Sequence, residues 1–303
     1  MIYTLTLNPS IDYHVWLNSL SQGEIHTVEK EQKVAGGKGV NVSKVLKLLG
    51  MNSVALGFIG GFTGEFIKNE IESLGVSHDL VSITGDSRIN IKIKADTETD
   101  ISGLSPVIPE SALKLLFSQL ERLTSQDILV LAGSVPESLP KDIYQNIMNR
   151  LEKKDVHIFL DSKGDALKSC LLKRPFLIKP NHHELGELLQ VKIESPIEAL
   201  AYGKRVVEMG AQNVIVSLAE QGAVFVSAQE AYMAKIPSYQ PVNSIGAGDS
   251  MVAGFLFSYL QEQSIESVFR FAVAAGTATA LSEGFCTPDT IKEILPQVLI
   301  TRS

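Results

Sequence analysis

The chain has 303 residues, of which 45% are hydrophobic and 20% charged, a balance typical of a globular protein with a substantial core. The formal net charge of −7 argues against a general nucleic-acid binder, because such a protein needs a basic face. The two cysteines, Cys170 and Cys286, form no CxxC pattern and so indicate neither a disulfide scaffold nor a zinc module. The chain opens without the regions of a signal peptide, and no apolar run reaches the about 18 residues of a membrane span. We therefore expect a cytoplasmic protein with neither a nucleic-acid nor a membrane partner.

Short apolar runs alternate with longer amphipathic segments along the chain. The apolar runs are residues 2–7, 54–59, 128–132, 157–160, 176–178, 214–218 and 223–226. The helical candidates between them are residues 40–49, 64–74, 110–123, 141–152, 198–209 and 250–260. Strands that alternate with helices predict parallel β-α-β units, and therefore an α/β fold with a mostly parallel central sheet flanked by helices.

Two stretches break this alternation. Residues 10–28 are rich in β-forming side chains but follow the first strand with no helix between. Residues 88–95 alternate with a period of two, so that isoleucines share one face of a strand while Arg88 and Asn90 lie on the other. We expect one domain that spans the whole chain, with a small inserted β-sheet whose segments lie at about 10–28 and 87–103. Such a sheet would form a lid over the carboxyl edge of the main sheet, where open α/β proteins bind ligands.

The motif with the most chemical content is residues 243–250, a glycine-rich turn that opens onto an apolar helix. The amides of Gly246, Ala247 and Gly248 would be unpaired at the positive end of the helix dipole, which makes them a ready anion site. A carboxylate beside that site suits a base, since Asp249 would take a hydroxyl proton while the amides hold a transferring phosphoryl group. The spacing alone fits equally well a helix cap at Asp249 and a plain turn at the glycines.

A second glycine-rich turn lies at residues 35–42 and also opens onto a helix. It lacks the GxxxxGK pattern of a phosphate loop, and no GxGxxG follows the first strand. The phosphate-loop fold and the dinucleotide-binding fold are therefore both disfavoured. Gly36 and Gly37 permit a close approach of the backbone to a hydroxylated ligand. Asn41 offers both a donor and an acceptor to sugar hydroxyls. A plain tight turn stays open as the alternative.

Residues 179–185 follow a predicted strand and contain Asn181 and Glu184 at a spacing of three. On a helix this spacing puts both side chains on one face, where an amide and a carboxylate suit a hydrated Mg²⁺ ion near nucleotide phosphates. The alternatives are a capping arrangement and a solvated helix face.

Three further candidates lie where predicted strands end. Asp12 follows the first strand and Ser134 the third, at the edge where ligands bind, although Asp12 alone fits a turn equally well. Residues 217–222 join two strand-like runs, for which a hairpin loop is the simplest interpretation.

In this order the motifs resemble the PfkB family of carbohydrate kinases, which have the ribokinase-like fold. The resemblance spans essentially the whole chain and is carried by residues 6–12, 36–41, 179–184 and 243–250. It implies an enzyme that transfers a phosphoryl group from ATP to a sugar with the help of Mg²⁺. A homodimer stays open.

The resemblance also implies roles for single residues. Asp249 is the catalytic base, residues 246–248 form the anion hole, and Arg88 reaches the phosphate of the substrate with the assistance of Lys38. The residues implied at the sugar phosphate are Asp12, Gly36, Gly37, Lys38, Asn41, Arg88, Asn90 and Ser134. Those implied at the nucleotide are Lys179, Asn181, Ser217, Gly222 and Gly248, with Asn181 and Glu184 holding Mg²⁺ through water. In the loop that holds the nucleotide, Ala219 stands where the family has a glycine.

Within the family, the opening and the lid resemble the branch of 1-phosphofructokinases and tagatose-6-phosphate kinases. Residues 87–92 are more similar to the former, which implies conversion of fructose 1-phosphate to fructose 1,6-bisphosphate. Ser102 and Ser105 depart from the common Asn and Gly of that branch. The first alternative is a tagatose-6-phosphate kinase. A ribokinase- or nucleoside-type kinase is disfavoured by the cationic face of Arg88 and Lys92, and a non-catalytic sugar-phosphate sensor by the intact Asp249 beside residues 246–248.

Overall fold

The fold is described by a computed structural model for residues 1–237 and 239–303. Over these residues the strands are β1 (Ile2–Thr6), β2 (Ser10–Trp16), β3 (Lys30–Gly36), β4 (Val54–Gly60), β5 (Ser77–Ile83), β6 (Arg88–Lys94), β7 (Glu98–Ile101), β8 (Ile128–Ala132), β9 (His157–Asp161), β10 (Leu177–Ile178), β11 (Asn213–Ser217), β12 (Ala223–Ser227), β13 (Ala231–Lys235) and β14 (Leu299–Arg302). The helices are α1 (Lys38–Leu48), α2 (Gly61–Ser73), α3 (Glu110–Leu120), α4 (Ile143–Leu151), α5 (Gly164–Cys170), α6 (His182–Leu189), α7 (Pro196–Glu208), α8 (Ala247–Tyr259), α9 (Ile265–Ala280) and α10 (Pro288–Ile294). No helix of these residues is long and apolar enough to cross a membrane.

Ten strands form the large sheet, in the order β14-β13-β12-β11-β10-β9-β8-β1-β4-β5. Seven neighbouring strands are parallel, in the order β11-β10-β9-β8-β1-β4-β5, while β12, β13 and β14 pair antiparallel. The predicted mostly parallel α/β sheet is therefore confirmed. Strand β8 shows why the runs are apolar throughout. Leu129 and Leu131 pack into the core on one face of the sheet, while Val130 and Ala132 pack into the core on the other.

The parallel strands place their carboxyl ends at one edge of the sheet. Three of them end there at Thr6, Ala132 and Asp161. Helices α1 and α8 begin near the same edge and pack against each other, because both present small and apolar residues along their contact. The two glycine-rich turns that precede these helices therefore lie close together.

Four strands form a separate small sheet in the order β3-β2-β6-β7, as the fold class predicted. Strand β2 pairs parallel with β6, and the other two pairings are antiparallel. The expected segment 10–28 contributes only β2, whereas its partner β3 lies at Lys30–Gly36, which was assigned to no strand and overlaps the expected glycine-rich turn only at its last two residues. The first four residues of this edge strand are polar and exposed, so they carry no alternation that predicts a strand.

The polar face of the small sheet faces the body of the molecule. Asp12 and His14 of β2 and Lys94 of β6 border a cavity of about 290 Å³ that extends to Asn41 on α1. The opposite face carries the isoleucines, of which Ile89 remains 38% exposed. The expectation of a half-buried strand with a polar face toward a ligand cleft agrees with this placement.

Candidate active site

Asp249 lies in the first turn of α8, and its carboxylate does not cap the helix. Gly246 is the N-cap residue, and no side chain makes a capping hydrogen bond there. Instead, Asn41 Nδ2 on α1 donates a hydrogen bond of 2.7 Å to Asp249 Oδ2, and both side chains are buried. The packing of α1 on α8 thus joins residues of the two glycine-rich motifs, and the helix-cap alternative for Asp249 is not what the structure shows.

The surroundings of Asp249 make its carboxylate more basic than an ordinary one. Burial raises the pKa of Asp249 to about 6, and the nearby charge of Asp161 acts in the same direction. Lys38, the hydrogen bond from Asn41 and Lys179 act in the opposite direction and keep the shift moderate. A carboxyl group with this pKa is mostly ionised at neutral pH and is still able to take up a proton, as a general base requires.

Asp161, at the end of β9, joins two lysines beside Asp249. Its Oδ1 lies 2.8 Å from Lys38 Nζ and its Oδ2 lies 3.7 Å from Lys179 Nζ. Burial alone would raise the pKa of Asp161, but Lys179 and Lys38 hold it below its usual value. Asp161 was missed in the sequence, although a polar residue that ends a buried strand at the ligand edge is a signal that would have found it.

Lys38 was expected to assist at the phosphate of the sugar. Its ammonium group lies among the carboxylates of Asp161, Glu184 and Asp249. Besides Asp161, it approaches Glu184 Oε1 at 3.9 Å. Burial acts to lower the pKa of Lys38, but the carboxylates of Asp161, Asp249 and Glu184 raise it above its ordinary value. The ammonium group therefore stays charged between the base and the residues expected at the nucleotide.

The N-terminus of α8, where an anion site is expected, presents amides that make no hydrogen bond to the described residues. Within residues 1–237 and 239–303, the amides of Gly248 and Asp249 have no hydrogen-bond acceptor. The amide of Ala247 donates to Ser244 O at 3.4 Å. Lys179 lies against the same turn, because a Cβ atom on Gly248 would be 2.9 Å from its Nζ. Two free amides and an ammonium group thus surround one place, which suits a phosphoryl group.

Asn181 and Glu184 form the capping arrangement that was the alternative to a metal site. Asn181 Oδ1 accepts a hydrogen bond from the Glu184 amide at 2.8 Å, and Glu184 Oε2 accepts one from the Asn181 amide at 2.9 Å. These contacts fix the start of α6. They leave Glu184 Oε1, on the side of Lys38, free of a hydrogen bond to the described residues.

The loop between β11 and β12 is a hairpin, and it lies beside Asn181. Ser217 forms an isolated parallel bridge with Asn181. Gly222 closes the loop, since its carbonyl accepts from the Leu218 amide at 2.9 Å. Ala219 has a φ angle of 51°, so it adopts the left-handed conformation that favours the glycine expected at this position. The substitution therefore leaves the path of the backbone intact.

The other glycine-rich turn requires its glycines. A Cβ atom on Gly36 would overlap the carboxylate of Asp12, and Gly37 has a φ angle of 118°. Asp12 is held in this place because its Oδ1 accepts hydrogen bonds of 2.8 Å from both Ser10 Oγ and Asn90 Nδ2. The structure thus brings the predicted residues Asp12, Gly36 and Asn90 together.

The strand before this turn is fixed to the body by a buried ion pair. Lys44 Nζ on α1 donates to the carbonyl of Ala35, and Glu70 Oε2 on α2 accepts from the Ala35 amide, both at 2.6 Å. The same lysine and Glu70 Oε1 lie 2.6 Å apart, and Lys44 is only 5% exposed. The pair acts as a neighbouring strand would, and it anchors the small sheet immediately before Gly36. Neither residue was predicted.

Arg88, the first residue of β6, carries a half-buried guanidinium group without a partner. It makes no hydrogen bond or ion pair with any residue that the structure describes, and its Nε is buried and unpaired. Lys92, four residues further along the strand, pairs with Asp100 Oδ2 at 2.9 Å. Burial lowers the pKa of Arg88, while Asp12 opposes the shift. A buried donor of this kind is costly unless a ligand supplies the acceptor.

A basic carboxylate, free amides at a helix N-terminus and a separate small sheet suit the transfer of a phosphoryl group to a hydroxyl. This chemistry, on a mostly parallel α/β sheet, is that of a sugar kinase with the ribokinase-like fold. Residues 5–292 match the model of the pfkB family of carbohydrate kinases, and the chain belongs to this family. The predicted family and reaction class are thereby confirmed.

Relatives and solved structures cover almost the entire chain. A 1-phosphofructokinase from Bacillus subtilis is 44% identical over 302 residues, which are 100% of both proteins. A tagatose-6-phosphate kinase from Staphylococcus epidermidis is 33% identical, with 98% of each protein covered. The structure of phosphofructokinase-2 from Escherichia coli in complex with fructose-6-phosphate superposes with a TM-score of 0.89 at 28% identity, covering 97% of this chain and 98% of that one.

Proposed function

We propose that the protein uses ATP to phosphorylate fructose 1-phosphate at its 6-hydroxyl, giving fructose 1,6-bisphosphate. The observation that carries the proposal is the unpaired, half-buried guanidinium of Arg88 on the lid, because it calls for an acceptor that already bears a phosphate. The 1-phosphofructokinase from Bacillus subtilis, at 44% identity, supports the choice of sugar.

In the proposed reaction, Asp249 is the general base. Its Oδ2 is occupied by the hydrogen bond from Asn41, so Oδ1 takes the proton of the 6-hydroxyl. The oxygen of that hydroxyl then forms a bond to the γ-phosphorus of ATP, and the bond between this phosphorus and the oxygen of ADP breaks. The side-chain carbonyl of Asn41 remains available to the sugar.

The charge that develops on the transferring group falls between two sets of donors. The free amides of Gly248 and Asp249 and the ammonium of Lys179 bind it from one side, and Lys38 from the other. These donors are fixed before the substrates bind, so little reorganisation accompanies the reaction. Closure of the small sheet would exclude water, which otherwise competes with the sugar as acceptor.

Mg²⁺ fits an oxygen atom that this side of the cleft leaves without a hydrogen bond. Glu184 Oε1 makes no hydrogen bond to the described residues and approaches Lys38 Nζ only at 3.9 Å. Carboxylate oxygens, together with water and nucleotide phosphates, are the usual ligands of Mg²⁺. When bound, the ion would neutralise charge on the phosphates, while Asn181 and the loop 217–222 position the nucleotide.

A comparison of acceptor sugars tests the proposal. With purified protein and MgATP, kcat/KM is expected to be highest for fructose 1-phosphate, lower for tagatose 6-phosphate and poor for fructose. A sugar without the phosphate would leave the guanidinium of Arg88 unpaired in the closed site. Tagatose 6-phosphate presents its 1-hydroxyl to Asp249 and has the opposite configuration at C4.

The outcomes separate the alternatives. A clear preference for tagatose 6-phosphate would contradict the substrate but keep the base and the reaction. Higher activity with unphosphorylated sugars or nucleosides would contradict the role of Arg88. Binding of sugar phosphate without any consumption of ATP would indicate a sensor in place of an enzyme.

A further inference from the structure

Asn8 lies between β1 and β2 at the edge of the cleft and holds two serine hydroxyls. It is only 4% exposed. Its Nδ2 donates to Ser105 Oγ at 2.7 Å and to Ser134 Oγ at 3.3 Å. Its Oδ1 is buried and has no hydrogen-bond partner within residues 1–237 and 239–303. One buried amide therefore joins the end of β1, the loop after β7 and the loop after β8.

The direction of these hydrogen bonds decides what the two serines offer to a ligand. An amide nitrogen carries two hydrogens, and Asn8 gives one to each hydroxyl oxygen. Each hydroxyl therefore accepts from Asn8, and its own hydrogen points away from the amide. Ser105 and Ser134 thus present two O–H donors.

Ser105 lies near the start of β6, the strand whose first residue is Arg88. Asn8 is two residues before Ser10, which is the register partner of Arg88 on β6. Gly103 packs directly against the backbone of β6 at Ile89, and Ser105 follows it by two residues. The hydroxyl of Ser105 and the guanidinium of Arg88 are both donors, and donors that have no acceptor among the described residues fit an anion.

We propose that Ser105 is a specificity-determining residue that donates a hydrogen bond to the phosphate already carried by the acceptor sugar. Asn8 is the positioning residue that turns this hydroxyl, together with that of Ser134, toward the phosphate. The inference rests on the proposed function and extends its phosphate site from Arg88 to Ser105 and Asn8.

Two variants test the inference against the wild type. Ser105→Ala removes only the hydroxyl, and Asn8→Asp keeps the shape of the side chain but reverses its hydrogen bonding. The carboxylate of Asn8→Asp would accept from both serines and turn their hydrogens away from the phosphate, which its charge also repels. We expect the KM for fructose 1-phosphate to rise about 10-fold in Ser105→Ala and further in Asn8→Asp. The KM for ATP is expected to stay within about twofold, which a loosened structure would not produce.

Ser118→Ala is the matched control, because Ser118 is an exposed serine on α3 whose hydroxyl bonds only to its own helix. Calorimetric titration of each variant with fructose 1-phosphate alone measures binding without catalysis. An unchanged affinity in a folded Ser105→Ala protein would overturn the inference and leave the proposed function intact. Should Asn8→Asp not fold, Ser105→Ala alone decides. A wild type that neither binds nor phosphorylates fructose 1-phosphate would overturn the proposed function as well as the inference.

Discussion

The two sides of the cleft differ in whether their buried charges have partners within the protein. On the side expected to hold the nucleotide, the buried carboxylate of Asp161 is compensated by Lys38 and Lys179 within the protein. On the side of the small sheet, Arg88 has no partner in the described residues, while Lys92, four residues further along β6, is paired with Asp100. The charge of Asp161 is therefore balanced before the substrates bind, whereas the small sheet carries a cation whose proposed partner is the phosphate of the sugar. A buried charge without a partner is costly, so this difference favours phosphorylated acceptors.

The largest effect on activity is expected from Asp249→Asn, on the side of the cleft where Asp161 is balanced by Lys38 and Lys179. The amide keeps the shape of the carboxylate but cannot take the proton of the sugar hydroxyl. We expect kcat to fall by about 10² or more, which is the usual contribution of a positioned base. Steady-state kinetics measures kcat, and titration with ATP and with sugar phosphate checks that both still bind. A variant with near-wild-type kcat would remove Asp249 from the role of base.

The pH profile gives the same prediction a second readout. Because burial raises the pKa of Asp249 to about 6, the carboxylate is ionised above that pH and becomes protonated as the pH falls below it. The kcat/KM of the wild type is therefore expected to be level above about pH 7 and to fall about tenfold per unit well below pH 6. A profile that stays level down to pH 5 would contradict the assignment.

A smaller effect is expected from Arg88→Ala, on the small sheet. A charge-assisted contact to a phosphate contributes about 1.5–3 kcal/mol, so the KM for the sugar phosphate is expected to rise about 10- to 150-fold. Lys92→Ala is the matched control on the same face of β6, since Lys92 already has a partner in Asp100. An equal rise in the KM for ATP would move Arg88 to the nucleotide site. Equal effects of both variants would mean that the pairing of Lys92 does not distinguish the two cations.

Local patterns in the sequence predict some of these features, whereas ion pairs between distant residues cannot be predicted from it. Apolar runs and glycine-rich turns identify the sheet and both helix starts, because such patterns are local. The pair of Lys44 with Glu70 and that of Lys38 with Asp161 join residues 26 and 123 positions apart, and no local pattern marks them. Strand β3 was missed for a related reason. Its polar residues are held by pairing with β2 and by the hydrogen bonds of Lys44 and Glu70 to the backbone of Ala35, not by burial.

Ser105 shows how a departure from a motif acquires meaning from structure. In the sequence, this serine only weakens the resemblance to one branch of a family. In the fold, the same hydroxyl accepts from the buried amide of Asn8, and Gly103, two residues earlier, packs against the backbone of β6. The partner of Ser105 is 97 residues away, so its orientation follows from the tertiary structure and not from the motif.

The smallest effect is expected from Glu184→Gln, which separates the two functions that share this side chain. Glutamine keeps the capping box, because its amide oxygen can still accept from the Asn181 amide as Glu184 Oε2 does at 2.9 Å. The variant loses the negative charge of the free Oε1, so the Mg²⁺ concentration for half-maximal rate is expected to rise about 10-fold. A titration of activity with Mg²⁺ at fixed ATP measures this change, and the melting temperature is expected to stay unchanged. Glu184→Ala is the control, since it removes both the charge and the cap and should also lower the melting temperature. If Glu184→Gln needed no more Mg²⁺ than the wild type, the carboxylate would serve only to cap α6 and to face Lys38.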